Sequence, residues 1–89
     1  MTVFLTETNK LCTKKAIDTL EKCTAAVDKI KNVVPNAQFG RSDTWSHFPK
    51  GCFLYVNDDD FKDQVFFNEH STGSSASTTR HICEDTGSI

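Results

Sequence analysis

The sequence contains no long apolar run, no excess of basic residues and no short-spaced cysteine pair. Each absence removes a class of protein. No stretch reaches the roughly twenty consecutive apolar positions of a membrane-spanning helix. The opening MTVFLTETNK lacks the basic start and apolar middle of a secretory signal, so no targeting peptide is expected within the chain. With a net charge of -2 there is no basic face for phosphate backbones, and nucleic acid is not an expected partner. No Asn stands in an N-x-Ser/Thr sequon. There is no G-x-S-x-G elbow and no glycine-rich phosphate loop, so no catalytic residue, cofactor or metal is expected and the chain reads as a non-enzyme.

What is present is a small chain with many aromatics. Its 89 residues suffice for one domain, with a core over about 2–84 and a tail at 85–89. A domain of this size buries only about 60% of its unfolded surface, and covalent staples often compensate. Seven Phe, one Trp and one Tyr supply much of the apolar area. Charge is unevenly spread: residues 1–34 hold six Lys against four Asp/Glu, and residues 35–89 hold four Lys/Arg against eight Asp/Glu. A solvated helix face and an acidic loop account for this.

Four cysteines stand at Cys12, Cys23, Cys52 and Cys83. None forms the Cys-x-x-Cys or two-to-four-residue spacing of a zinc knuckle. An even number of widely spaced cysteines in a short chain reads as two disulfides; the alternative is four reduced, buried thiols. Three pairings are possible and the sequence does not choose between them, although bridges tying the helix and the N-terminal loop to the sheet are preferred. Alternation would place His81 and Cys83 on one face of a strand.

Periodicity then predicts the elements. Thr2 to Thr6 alternates as a first strand. Over DTLEKCTAAVDKIKNVV, the residues Leu20, Cys23, Val27 and Ile30 form one helical stripe, with Asp18 and Glu21 as a capping box and Pro35 as the stop. Residues 36–51 read mostly as loop. CFLYV places Cys52, Leu54 and Val56 on one face and Phe53 and Tyr55 on the other; with QVFFN it forms a hairpin around the acidic NDDDFKD, which lacks the spacing of an EF-hand. Between His70 and Arg80, seven of eleven residues are Ser or Thr, a polar loop before the closing strand that carries Cys83. The fold class is α+β: a disulfide-stapled domain with one amphipathic helix on a small antiparallel sheet.

The strings AIDTLEKCTAA, WSHFPKGCFLYV and VFFNEHSTGSSASTTRHICE together resemble a poorly characterised cysteine-containing module of secreted or lumenal proteins of marine algae and other protists. The resemblance covers roughly residues 12–84. It implies disulfides, an oxidising compartment (the cell exterior or an organelle lumen) and a small helix-plus-sheet fold. It implies no catalytic residues and no particular ligand. Two segments depart from it: a longer stretch before Trp45 and the Asp58–Asp63 insertion.

The expected function is a non-enzymatic interaction module with a protein or glycan partner. Its candidate binding surface comprises Phe39, Trp45, His47 and Phe48, with Asn68, His70, Thr72 and Ser74 from the strand and hydroxyl-rich loop. The same aromatics have a plainer role, as a small core built by an irregular segment. The alternative function is a small structural subunit of a larger assembly, for example in an algal organelle lumen or an extracellular complex.

Overall fold

A computed structural model describes residues 2–13 and 15–85, and among them the chain forms six strands and one helix. In order these are β1 (Thr2–Thr8), β2 (Lys15–Ala16), α1 (Leu20–Ile30), β3 (Gln38–Asp43), β4 (Pro49–Tyr55), β5 (Gln64–Gly73) and β6 (Thr79–Asp85). All six strands join one sheet in the order β1-β6-β4-β5-β3, with β2 also paired to β6. The domain is α+β, but the sheet dominates. It is also mixed and not wholly antiparallel, because β3 runs parallel to β5. β3 lies inside the segment read as loop. The chain passes from β3 through β4 before it reaches β5, which lets the two run parallel, and α1, which precedes β3, packs against both.

The helix covers one face. Cys23, Ala26, Val27 and Ile30 are buried against Cys52, Leu54, Val65, Phe67 and Ile82. Two details of the predicted helix change. The cap is Thr19 and not Asp18: its Oγ1 accepts the Lys22 N–H at 3.1 Å, which removes the expected capping box with Glu21. Leu20 is 44% exposed, and the core contact at this end comes from Ile17, which is fully buried just before the helix. Glu84 draws the pieces together, accepting Lys15 Nζ at 3.2 Å and Lys22 Nζ at 3.5 Å.

The two disulfides grip opposite faces. Cys23–Cys52 ties α1 to β4 on the helix side. Cys12–Cys83 ties the segment after β1 to the other side, since Ile82 points into the helix-side core and its neighbour Cys83 points away. Both β1 and β2 run antiparallel to β6 and both pair with Cys83 and Glu84, so they flank β6 on opposite edges. The segment carrying Cys12 therefore straps across β6. By loop-closure entropy each bridge stabilises the fold by about 4 kcal/mol.

Gly51 makes the bend that the turn residues before β4 suggested. Its φ is 80°, a side chain there would collide with the Ile17 carbonyl, and the pairing with β5 shifts between Pro49 and Gly51. The Ser/Thr-rich run is not one loop. β5 continues through it to Gly73, and β6 begins at Thr79. β6 is internal to the sheet and not a closing edge, and it extends to Asp85, the first residue of the expected tail; residues 86–89 lie outside the described residues.

His81 is 4% exposed on the strap side. Its Nε2–H donates to the Lys50 carbonyl at 2.6 Å, and Nδ1 accepts the Cys12 N–H at 3.0 Å. Both bonds require the neutral ring protonated on Nε2. Burial holds the imidazole below its ordinary value of 6.5, against a smaller upward pull from the Lys50 carbonyl. The unfolded chain thus binds the extra proton first, and stability rises with pH in that window. We expect stability to be full above about pH 6.5 and to fall as pH drops through the lower folded value, with a slope of at most about 1.4 kcal/mol per pH unit. Urea titrations from about pH 7.5 to 5 check this, and His81→Gln should flatten the dependence. An unchanged slope in that variant assigns the effect elsewhere.

Candidate functional site

The face of the sheet opposite the helix carries a second set of apolar side chains. Phe53 of β4 and Phe66 of β5 lie side by side, with ring centroids 5.7 Å apart at 35°. Phe48 extends this layer, 5.2 Å from Phe53 at 31°. Trp45 stands on the layer edge-on, 5.7–5.9 Å from Phe48, Phe53 and Phe66 at 77–80°. Tyr55 stands on it likewise, 6.3 Å from Phe48 and Phe66 at 85–87°. Phe61, 55% exposed, lies beyond Tyr55 at 6.5 Å. The result is a concave groove of about 300 Å³ with a phenyl floor and upright aromatic walls.

Polar groups rim it. Arg41 from β3 reaches over the Trp45 ring, 5.6 Å from the centroid, and also approaches Asp43 at 3.6 Å. Gln64 completes the β5 side. Gly40 is what lets β3 lie here, because a Cβ would stand 2.6 Å from the Phe66 ring and 2.7 Å from Gln64 Oε1.

The acidic hairpin tip fixes the far wall. Asp59 Oδ2 accepts from the Tyr55 hydroxyl at 3.0 Å and from Asn57 Nδ2 at 2.8 Å, while Oδ1 accepts the Phe61 N–H at 2.9 Å. The Phe61 N–H, then Asn57, and to a lesser degree the Tyr55 hydroxyl hold the Asp59 carboxyl below its usual range against an opposing desolvation. Burial first, and the bond to Asp59 second, push the Tyr55 phenol up. The Tyr55 hydroxyl gives its hydrogen to Asp59, and what Tyr55 presents to the groove is its ring.

Asn68 holds the near wall. It is 1% exposed and spans the chain that leads from Trp45 to Pro49. Its Nδ2 donates to the carbonyls of Trp45 (2.7 Å), Phe48 (3.0 Å) and Pro49 (3.0 Å). Its Oδ1 accepts the N–H of Trp45 (2.8 Å) and of His70 (3.1 Å). Ser74 adds two bonds to the same loop, from its hydroxyl to the Ser46 carbonyl at 3.0 Å and from its N–H to the Phe48 carbonyl at 2.9 Å.

The eight residues of the expected binding surface thus divide. Trp45 and Phe48 line the groove. His47 is exposed beside Phe48, at 4.3 Å, outside the lining. Asn68 and Ser74 position the loop. His70 Nδ1 accepts the N–H groups of Thr72 (3.2 Å) and Gly73 (2.9 Å), so both His70 and Thr72 shape the last residues of β5. Phe39 faces the helix-side core, away from the groove. Arg41, Tyr55, Phe61 and Gln64 were not in the sequence-based set. The alternation of Phe53 and Tyr55 opposite Cys52 was the readable sign of a second apolar face.

The described helix is too short to cross a membrane, and among the described residues every cysteine is in a bridge. No protein-family model, curated protein or solved structure matches the chain.

Asn68→Ala should destabilise the domain by about 3 kcal/mol, because it orphans several buried main-chain groups. Asn68→Asp should fail similarly, since a carboxylate only accepts. Chemical denaturation gives the loss, and the emission of Trp45, the sole tryptophan, reports whether the wall has shifted. Wild-type stability in both variants would remove Asn68 from this role.

Proposed function

We propose that this domain is a non-enzymatic interaction module that receives a ring-bearing group of a protein or glycan partner in its aromatic groove. The observation that carries this reading is the upright pair Trp45 and Tyr55, with Phe61, left partly open to solvent above a phenyl floor. Aromatic walls with a few polar rim groups suit both sugar faces and protein side chains. The available side-chain chemistry favours binding over catalysis. Both ring nitrogens of His81 are engaged, His70 Nδ1 is committed to its turn, and the four sulfurs are paired. The two bridges support a setting in an oxidising compartment, outside the cell or in an organelle lumen, as the resemblance to algal and protist modules implies.

Trp45 provides its own assay. Glycan and peptide panels titrated against Trp45 emission should produce a saturable shift for one class. Phe61→Ala should weaken that binding about tenfold, or ~1.4 kcal/mol, while changing stability by no more than about 0.5 kcal/mol. Blank panels, or binding indifferent to both Phe61→Ala and Trp45→Ala, would refute the reading.

The second reading, a structural subunit, rests on the β1 edge. β1 ends the sheet, with Phe4 43% and Leu11 42% exposed beside it. Paired edges of two copies should give a dimer in sedimentation, which Phe4→Lys dissociates. A monomer at high concentration removes self-assembly through this edge.

A further inference from the structure

The strap over β6 brings two sulfurs and an imidazole to one place. Cys83 and His81 project from the same face of β6, and Cys12 is bonded to both, to Cys83 through sulfur and to His81 Nδ1 through its N–H at 3.0 Å. The ring is already oriented as a metal-ligating histidine is. Its Nε2–H is fixed on a backbone carbonyl, and its Nδ1 lone pair points to the cysteine side. In the oxidised chain no three His, Cys, Asp or Glu side chains among the described residues form a metal-holding group. The two sulfurs there are bonded to each other.

The two bridges differ in access. Cys23 and Cys52 are both fully buried beneath the helix; in the other bridge Cys83 is fully buried as well, but Cys12 is half-buried on the strap. Of the two bridges, Cys12–Cys83 is the one with a half-buried side from which a small dithiol can approach. The second bridge and the sheet remain to hold the fold.

We propose that Cys12, Cys83 and His81 are a latent site for a thiophilic divalent cation such as Zn²⁺, opened by reduction of the Cys12–Cys83 disulfide. A dithiol gives two electrons and two protons to the S–S bond and becomes a cyclic disulfide, leaving two thiols. The cation then takes the place of the Cys12 N–H at Nδ1, and both thiols lose their protons to become ligands. Three protein ligands leave a fourth position for water. Zinc and the disulfide are thus alternative clasps for one strap.

The test uses the full chain. Limited treatment with dithiothreitol, followed by alkylation and peptide mapping of one portion, should label Cys12 and Cys83 and leave Cys23 and Cys52 unlabelled. The unalkylated portion, freed of reductant under argon, is titrated with Co²⁺. The expected result is one equivalent bound, with thiolate-to-cobalt charge transfer and tetrahedral d–d bands, and displacement by Zn²⁺. The oxidised chain should show none of this. Cys12→Ser and Cys83→Ser should lose the charge-transfer intensity of the wild type. His81→Gln keeps a donor for Lys50 and an acceptor for Cys12 but cannot replace the imidazole, so it should fold and bind Co²⁺ at least about tenfold more weakly. First labelling at Cys23 and Cys52, absence of the bands, equal affinity in His81→Gln, or loss of the folded circular dichroism on opening the strap would each overturn the proposal.

Discussion

A single sheet has two faces, and the one helix of 11 residues among the described residues covers only one of them. Everything else in this fold responds to that constraint. The helix takes the face of Leu54, Val65 and Ile82 and is bolted there by Cys23–Cys52. The other face, with Phe53, Phe66, His81 and Cys83, needs cover from segments that are neither helix nor strand. Water on that face would leave Phe53 exposed, at a cost of about 2 kcal/mol or more for one side chain. The strap covers the β6 side and the Trp45–Phe48 loop covers the β4 and β5 side.

Irregular cover has a particular weakness. A loop cannot satisfy its own main-chain groups, so burying one against a sheet requires partners for each N–H and C=O. The two covers meet this demand with one buried polar side chain apiece. Asn68 serves the aromatic loop with both ends of its amide. His81 serves the strap with both ring nitrogens and links it to the β4 entry at Lys50. Each is a side chain with a donor and an acceptor on opposite sides, which is what a loop lying flat on a strand asks for. Charged substitutes would lose one of the two functions.

The sequence disclosed the parts of this fold whose burial is periodic. Cys23, Val27 and Ile30 spell a helix, and CFLYV and QVFFN spell two half-buried strands, because regular elements present a regular face to the core. β3 escaped notice because QFGRSD has one apolar residue facing inward and a glycine where a side chain would collide with Phe66. Its strand state comes from pairing with β5, a contact absent from its own composition. The hydroxyl run misled for a related reason: beyond Asn68, β5 has left the core, and the His70 side chain, not hydrophobic burial, organises its end. In the site, Trp45 and Phe48 were conspicuous as loop aromatics. Phe61 looked like part of an acidic tip, and the Asp59 bonds to Tyr55 and to the Phe61 main chain, with the main-chain bonds of the tip, bring it to the groove.

The groove lies where the irregular cover ends. Phe53 is sealed by Phe48, Trp45 and Phe66, but the cover stops short of Tyr55 and Phe61. The remaining walls are fixed from outside by Asp59, through bonds in which its carboxylate only accepts. On the proposed reading, an entering group would meet rings already held through Asp59, a residue outside the groove lining, so little side-chain freedom would be lost on binding. The same economy explains why the polar anchors Asn68 and His81 are poor contact residues. Their hydrogen-bonding capacity is spent inside the fold, and what lines the groove is ring surface with Arg41 and Gln64 at the rim. In a domain this small, the polar residues that hold the groove in shape and the rings that line it are different sets.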